Sequence, residues 1–420
     1  MKVFKFGGAS IKNADAVKNI GNILQLYKGP LVVVISAMGK TTNALERVVN
    51  AHVNGDKAKA KFELDQIRDY HISIVENLVQ YPDHALLTEL STIFSGLYST
   101  LGENPTSYYN MAYDQMVSWG EILSTIIVSS YLNSAGLNNE WVDIRQYLKT
   151  DGAFREGRVD WKMTTNLIRQ RFRFDNTDLY ITQGFIGSTV NNITTTLGRE
   201  GSDYTAAVLA SILEADSVTV WKDVPGILNA DPKWLSEARK LEEISYREAV
   251  EMTFSGAKVI HPKTIKPLQN KNIPLYVKSF LEPEEKGTLV TADPTLRKIM
   301  PVFIRKANQI LISFLPKDFS FVMGDNLSRI FHLFMGHGIK VNLVEASAVS
   351  IDVCVDDERV KVDALLETLK DEYSALYNEN VEMLSVRHYT PEAVERITTG
   401  REILLEQRTR STVRFVVRKA

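Results

Sequence analysis

The first 50 residues change from one hydrophobic period to another and back, which predicts a β-α-β unit. The segment Val3 to Phe6 and the apolar run Leu31 to Ser36 have the composition of strands. Between them, Ala14 to Tyr27 places apolar residues at the helical spacing of three and four. Two strands joined through a helix enter a parallel sheet, so this pattern favours the α/β class.

A long helical region then interrupts the sheet pattern. From Thr42 to about Ala135, Leu and Ile recur at spacings of three and four without convincing alternation, which predicts a helical insertion beside the sheet. Strand-like and helical segments alternate again after it. The predicted strands are Trp141-Val142, Leu179 to Gln183, Ser217 to Trp221 and Pro274 to Ser279, and the predicted helices are Trp161 to Phe172 and Asp203 to Leu213. We expect an α/β sandwich that closes near residue 295.

The remaining residues predict smaller modules of a different kind. A β-α-β-β-α order is expected over Ile310 to Phe314, Leu327 to His337, Val341 to Val344, Ala348 to Val355 and Val360 to Leu369. A strand at Val381 to His388 completes a ferredoxin-like β-α-β-β-α-β module or begins a second set. That second set continues through Pro391 to Thr398, Ile403 to Gln407 and Thr412 to Val417. The predicted domains are an α/β domain at 1–295, a regulatory module at 300–380 and a truncated second module at 381–420.

Composition excludes several classes of function. Hydrophobic residues make up 44% and charged residues 24% of the 420 residues, which is typical of a globular protein. The formal net charge of −2, without a long basic run, argues against a nucleic-acid binder. The apolar runs are far shorter than the roughly 20 residues of a membrane span, and the N-terminus shows no targeting signal. Because Cys354 is the only cysteine, a reducing, cytoplasmic location is expected.

The turn after the first strand, Lys5-Phe6-Gly7-Gly8-Ala9-Ser10, is a candidate phosphate site. Glycines between a strand and a helix expose backbone N–H groups to an anion, and Ser10 could cap the helix. Lys5 at the strand end would stabilise a transferring phosphoryl group. A tight turn with a surface lysine explains the same residues, and for this segment alone that interpretation is favoured.

Two common nucleotide motifs are missing. Gly39-Lys40-Thr41 resembles the end of a Walker A loop, but the required earlier glycine falls on Val34, inside a strand. The sequence also lacks a G-x-G-x-x-G after a strand, so hydride transfer on a dinucleotide has no support. The polar loop Ser36 to Asn43 follows a buried strand, where it could contact a ligand or only cap a helix.

The segment Thr196 to Asp203 also lies between a strand and a helix. Arg199 offers a planar fork for a carboxylate or phosphate, and Asp203 could orient a lysine or a metal. A helix start capped by Ser202 or Asp203, with Arg199 in solvent, explains the segment equally well.

Two further loops combine turn formers with charge. Trp221 to Ile227, followed by Asn229 to Pro232, would contact a nucleotide or form only a turn. Gly256 to Pro262 adds the cation Lys258 and a histidine, His261. We do not expect His261 to be catalytic, because a carboxylate acceptor is already ionised at neutral pH and needs no base.

Taken together, these segments resemble the aspartate kinases of the amino-acid kinase fold. The resemblance covers essentially the whole chain and rests on six segments in the family's order: Lys5 to Gly8, Val34 to Asn43, Gly120-Glu121, Gly198 to Asp203, Lys222 to Gly226 and Gly256 to Pro262. It implies a three-layer α/β sandwich with a helical insertion, followed by ferredoxin-like ACT modules, the second of them truncated.

The resemblance implies a reaction and a set of site residues. ATP and L-aspartate would give 4-phospho-L-aspartate and ADP, the first step toward lysine, threonine and methionine, with Mg²⁺ as cofactor and no dedicated protein metal site. The implied catalytic residues are Lys5 and Asp203. The implied aspartate-binding residues are Thr42, Glu121, Arg199 and Ser202. The implied ATP-binding residues are Lys5, Gly7, Gly8, Ser10, Lys222, Asp223, Gly226, Asp231 and Lys258.

Some residues depart from the family pattern. Ala9 and Glu200 replace a common threonine and glycine without removing a charged group. Asn342 and Ala348 stand where lysine-inhibited relatives often carry acidic residues, so an amino-acid effector is expected but lysine is uncertain. The truncated module has open strand edges, which predicts a homodimer or higher oligomer through the ACT modules. The length leaves no room for a fused homoserine dehydrogenase. A sibling kinase and a non-catalytic nucleotide or amino-acid sensor are the alternatives.

Overall fold

The structure is a computed structural model that describes residues 1–78, 84–104, 108–257, 260–294, 300–318, 320–322 and 324–419. It divides into two compact units. The first comprises 1–227, 240–250 and 259–295, and the second comprises 228–239, 251–258 and 296–420. Two segments that precede residue 295 therefore group with the C-terminal part of the chain. Of the helices in the described ranges, none has both the length and the apolar character to cross a bilayer.

The first unit contains an eight-stranded sheet in the order β3-β4-β2-β1-β7-β9-β10-β8. The strands are β1 (Lys2–Phe6), β2 (Leu31–Ile35), β3 (Glu140–Val142), β4 (Leu179–Gln183), β7 (Ser217–Lys222), β8 (Glu243–Ser245), β9 (Leu275–Ser279) and β10 (Thr288–Thr291), with a separate hairpin of β5 (Ile186–Ser188) and β6 (Thr194–Thr196). β1, β2, β3, β4, β7 and β9 run parallel to one another, and β10 is antiparallel to β9. Every residue of β2 and β4 is buried, as expected for parallel strands covered on both faces.

Helices cover this sheet. They are α1 (Ala14–Gln25), α2 (Thr41–Val53), α3 (Lys57–Leu78), α4 (His84–Gly102), α5 (Tyr109–Val117), α6 (Trp119–Ser134), α7 (Trp161–Arg171), α8 (Gly201–Leu213) and α10 (Pro262–Asn270), while α9 (Tyr246–Phe254) runs across the boundary between the units. α8 packs on β1, β2 and β7, and α6 packs on β2, β3 and β4. The predicted α/β sandwich with a helical insertion, here α2 to α6, is confirmed.

Two predicted helix caps are wrong. α1 begins at Ala14 and is capped by Asn13, whose side chain accepts from the N–H of Ala16, so Ser10 does not cap it. Ser10 lies instead in a short 3-10 helix over Gly8–Ile11. α8 begins at Gly201, and its N-cap is Glu200 rather than a residue of the first turn. α1 thus starts at the predicted Ala14, whereas α8 starts two residues before the predicted Asp203.

The second unit contains a six-stranded sheet in the order β12-β13-β11-β14-β16-β15. Its elements are β11 (Val302–Pro316), α11 (Asp325–Gly336), β12 (Val341–Ala346), β13 (Ile351–Asp356), α12 (Arg359–Leu369), β14 (Tyr373–Arg387), α13 (Pro391–Thr398), β15 (Arg401–Arg408) and β16 (Thr412–Lys419). All the strand pairs in this sheet are antiparallel.

The two longest strands pass through both predicted modules. β11 and β14 each have 15 residues and pair along most of their length, with register shifts near Gln309. One hydrophobic core lies under α11 and α12, and a second lies under α13. The strand predicted at 381–388 is therefore the second half of β14, and the first half of β11 pairs with it. Gln407 of β15 donates from Nε2 to the carbonyl of Val344 in β12 (3.1 Å), so these two edges of the sheet approach each other.

Candidate active site

A cavity of about 1040 Å³ lies in the first unit and collects most of the predicted site residues. Its lining includes the ends of β1 and β7 and the first turn of α8, which fits the rule that open α/β sheets bind ligands at the carboxyl ends of their strands. The predicted site residues on its wall are Lys5, Gly7, Gly8, Ser10, Thr42, Glu121, Arg199, Ser202, Asp203, Lys222 and Asp223.

The turn after β1 brings backbone very close to backbone. A Cβ atom on Gly8 would lie 2.7 Å from the carbonyl oxygen of Gly39 and 2.8 Å from that of Ala37, so only glycine fits there. A Cβ on Gly7 would lie 3.5 Å from Lys5 Nζ, which places the ammonium group beside the turn. The turn thus presents backbone and a cation to the same space.

Lys5 and Asp203 form an ion pair at the centre of this wall. Lys5 Nζ lies 2.6 Å from Asp203 Oδ1, and the two side chains are 11% and 4% exposed. Burial alone would raise the pKa of Asp203, but the charges of Lys5 and Lys222 outweigh it and the pKa is lowered. The ammonium of Lys5 is thus held at the cavity wall by a buried carboxylate.

The loop before α8 carries strain at a charged residue. Glu200 has φ of +54°, the left-handed region that non-glycine residues rarely adopt. Its Oε2 accepts from the backbone N–H of His261 (2.8 Å), so the side chain ties this loop to the residue before α10. Arg199 is exposed on the cavity wall and Ser202 is buried in it. His261 itself caps α10 by accepting from the N–H of Lys263.

Glu121 lies in the first turn of α6 and is a buried carboxyl group of the cavity with a strongly raised pKa. It is 2% exposed, and its Oε1 accepts from the backbone N–H of Ala37 (3.3 Å). Burial raises the pKa of Glu121 to about 8, against the opposing effects of that hydrogen bond and of the Lys5 charge. A carboxyl group in this state is poised to ionise when a cation binds beside it.

Two of the predicted ATP residues are not on this wall, and the structure does not describe a third. Gly226 packs against β10, where a Cβ would lie 2.5 Å from Thr288 Oγ1. Asp231 belongs to the second unit, where its side chain accepts from the N–H of Lys233. Lys258 lies outside the described residues. The turn-rich loop after β7 therefore contributes Lys222 and Asp223 to the cavity and then leaves it.

One side of the cavity was not foreseen from the sequence. It is formed by aromatic and polar residues from α5, the loop 151–157 and the end of β4, namely Tyr108, Asn110, Tyr113, Phe154, Arg155 and Phe185. Arg155 and Phe185 both have positive φ, +68° and +69°. The loop follows no predicted strand, so the rule that locates ligand loops at strand ends did not find it. Its polar, glycine-containing composition from Asp151 to Gly157 was a weak signal.

Carboxylates at the cavity do not form a metal cluster. Among the described residues, no group of three or more His, Cys, Asp and Glu side chains is placed to hold a metal ion. Asp203 is paired with Lys5, while Asp223 is exposed at the rim. Such a site suits a divalent cation that arrives with phosphate ligands of its own.

Comparisons with known proteins agree with this geometry. Residues 1–279 match the amino acid kinase family. The chain is 34% identical over 359 residues to lysine-sensitive aspartokinase 3 of Escherichia coli K12, covering 84% of this chain and 78% of that one. It superposes on the structure of E. coli aspartokinase III with lysine and aspartate (T-state) with a TM-score of 0.83 at 28% identity, covering 99% and 95% of the two chains. The structure of the same enzyme with aspartate and ADP (R-state) gives the same TM-score and identity over 99% and 96%.

Proposed function

This chain belongs to the amino acid kinase family, among its aspartokinases, and from that membership we propose how its cavity works. The protein transfers the γ-phosphoryl group of ATP to the β-carboxylate of L-aspartate, giving 4-phospho-L-aspartate and ADP. The observation that supports the proposed site is the Lys5–Asp203 pair, which shares one cavity with Arg199 and Glu121.

Lys5 is the residue that stabilises the transferring group. Phosphoryl transfer spreads negative charge over three oxygens, and a fixed cation beside them lowers the barrier without a proton transfer. Asp203 holds the ammonium in place through the 2.6 Å contact. The aspartate carboxylate is already ionised at neutral pH, so the reaction needs no general base.

The acceptor binds on the side of the cavity formed by α2, α6 and the start of α8. Arg199 receives the α-carboxylate of aspartate in a bidentate contact, with hydroxyl donors from Thr42 and Ser202. The carboxylate of Glu121 meets the α-ammonium group. Arg199 thus pairs with the α-carboxylate and Glu121 with the α-ammonium group, and the β-carboxylate is left free to face Lys5.

The nucleotide binds at the glycine turn. Gly7, Gly8 and Ser10 line the path of the phosphates, and Lys222 and Asp223 contact them from the end of β7. Gly226, Asp231 and Lys258 remain predictions for the base and ribose side.

Mg²⁺ is the expected cofactor, and the donor set fits it. Carboxylate oxygens are hard ligands, and Mg²⁺ is usually held by one or two of them together with substrate phosphates. Asp223, an exposed carboxylate of the cavity lining, would hold the ion together with the phosphates. When bound, the ion would neutralise charge on the phosphates while Lys5 holds the transferring group.

Assembly and control are proposed for the second unit. Phe321, Met335 and Val360 are between 72% and 84% exposed there, which supports a homodimer through the ACT modules. An amino-acid effector is expected to bind these modules. Lysine is not proposed as that effector, because Asn342 Oδ1 already accepts from the ammonium of Lys306 (2.7 Å). The cytoplasmic location expected from the single cysteine stays a prediction.

The function is tested by product trapping. Purified protein with ATP and Mg²⁺ should form an acyl phosphate on aspartate that hydroxylamine converts to a hydroxamate. Arg199→Ala should raise the KM for aspartate by about 10² because a bidentate charged contact is lost, while Arg158→Ala, an exposed arginine outside the cavity lining, should not change it. Product with glutamate, acetylglutamate or UMP but not aspartate would instead identify a sibling kinase. No product with any acceptor would favour the sensor.

A further inference from the structure

Asp114 is a buried carboxylate with no part in the roles described above. It lies in α5 with its side chain shielded from solvent. Its Oδ2 accepts from the backbone N–H groups of Arg155 (2.9 Å) and Thr196 (2.8 Å), and its Oδ1 accepts from Thr196 Oγ1 (2.7 Å). Burial raises the pKa of Asp114, and these hydrogen bonds oppose the rise. The carboxylate therefore joins α5 to two segments that are 41 and 82 residues away in the chain.

Both of these segments line the cavity, and they also contact each other. Arg155 and Thr196 are cavity residues. The N–H of Gly157 donates to the carbonyl of Thr196 (2.8 Å), and a Cβ on Gly198 would lie 3.1 Å from the carbonyl oxygen of Arg155. The chain then reaches Arg199. A displacement at Asp114 would therefore move the loop 151–157 and the approach to Arg199 together.

Arg155 depends on two adjacent residues of α5. Its φ of +68° is in the region that side-chain-bearing residues avoid, and the hydrogen bond from its N–H to Asp114 helps to hold it there. Its guanidinium lies 4.2 Å from the ring centroid of Tyr113 and 3.5 Å from a carboxylate oxygen of Glu46. α5 thus fixes both the backbone and the charged end of this arginine at the cavity wall.

We propose that Asp114 is a positioning residue for the acceptor: it fixes the loop 151–157 against the end of β6, so that the guanidinium groups of Arg155 and Arg199 take set places around a dicarboxylate. The proposal rests on the proposed function, in which Arg199 binds a carboxylate of aspartate. Asp114 itself touches no substrate. Small displacements of binding groups are enough to weaken productive binding. Because the nucleotide is assigned to the glycine turn and Lys222, the effect should fall on aspartate rather than on ATP.

The test compares two substitutions at this position. Asp114→Ala removes all three hydrogen bonds. Asp114→Asn has the same shape; its carbonyl can accept from both N–H groups, and its amide can donate to Thr196 Oγ1. We expect Asp114→Ala to raise the KM for aspartate about tenfold or more with less than about a twofold change in the KM for ATP. Asp114→Asn should restore the KM for aspartate to within about threefold of the wild type.

Asn139→Ala is the matched structural control. Asn139 donates from Nδ2 to the carbonyls of Ser129 and Leu137 (3.1 Å each) and accepts from Ser129 Oγ (2.6 Å), and none of these residues lines the cavity. This variant should lower the thermal midpoint and leave both KM values unchanged. If Asp114→Ala only lowers the midpoint, raises both KM values equally, or behaves no worse than Asp114→Asn, the positioning role is wrong.

Amide hydrogen exchange tests the anchor independently of turnover. Asp114→Ala should accelerate exchange in residues 151–157 and 196–199, and Asn139→Ala should not. Unchanged exchange in those segments would overturn the proposal. If Asp114→Ala does not fold, Thr196→Val takes its place, because it removes only the Oγ1 contact. This variant should then accelerate exchange in the same two segments. A wild-type protein that forms no aspartyl hydroxamate would refute the function, whereas the exchange result would still decide the anchor.

Discussion

Among the residues that the structure describes, two lysine–aspartate pairs, one in each unit, have the same separation and different surroundings. Lys5–Asp203 and Lys306–Asp356 both have an N–O distance of 2.6 Å. The first pair is 11% and 4% exposed and lies on the cavity wall. The second pair is 23% and 37% exposed and lies in a sheet. Distance alone does not distinguish them.

The other hydrogen bonds of the two pairs distinguish them. Asp356 also accepts from Gln309 Nε2 (2.8 Å) and Asn342 Nδ2 (3.0 Å), and Lys306 donates to Asn342 Oδ1 (2.7 Å). Burial alone would raise the pKa of Asp356, but these partners lower it. A charge network satisfied within the protein holds a structure together. The ammonium of Lys5, in contrast, faces a cavity, so its N–H groups can also donate to a ligand.

The largest expected effect is on kcat, and it should occur only at the pair on the cavity wall. Lys5→Met should lower kcat by about 10³-fold or more, because the cation beside the transferring phosphoryl group is lost. The measurement is steady-state kinetics with coupled detection of ADP. Asp203→Asn should also lower kcat, since it releases the ammonium from its place. Wild-type turnover in Lys5→Met protein would show that the assignment of the site is wrong.

A second carboxyl group of the cavity should give a pH signature. Glu121 must be ionised to pair with the substrate ammonium, but burial raises its pKa to about 8. The KM for aspartate should therefore fall as the pH rises toward about 8, by up to about tenfold per pH unit, and level off above it. Glu121→Gln should remove this dependence and lower kcat/KM for aspartate by about 10²-fold. A KM profile that is the same in wild type and Glu121→Gln would contradict the role, and the KM for ATP is the internal control.

The smallest effect is expected at the satisfied pair. Lys306→Met should lower the free energy of unfolding by about 1 kcal/mol, since the pair is partly exposed and screened by solvent. Chemical denaturation measures this change. Without effector, kcat should stay within about twofold of the wild type. If Lys306→Met abolished turnover as Lys5→Met is expected to do, the distinction between the two pairs would fail.

The sequence predicted much of the fold, because hydrophobic period can be read within each segment separately. The β-α-β start, the helical insertion and most strands follow from hydrophobic period. The assignment of the site rested on the order of motifs, and the structure brings eleven of the predicted residues to one cavity. The errors concern helix caps, the start of α8 and long-range strand pairing. β14 is one strand because β11 pairs with it on both sides of Gln309, and no local pattern shows a partner about 70 residues away.

The sequence by itself determined the fold class, through its hydrophobic periods, and the family, through six motifs in one order. Tertiary structure alone decided the rest. It brought Arg155 to the cavity, left Gly226 and Asp231 off it, and made Asp114 an anchor. The physical reason is that the role of a buried carboxylate depends on which hydrogen-bond donors reach it. Those donors, the N–H groups of Arg155 and Thr196, come from segments that only folding brings together.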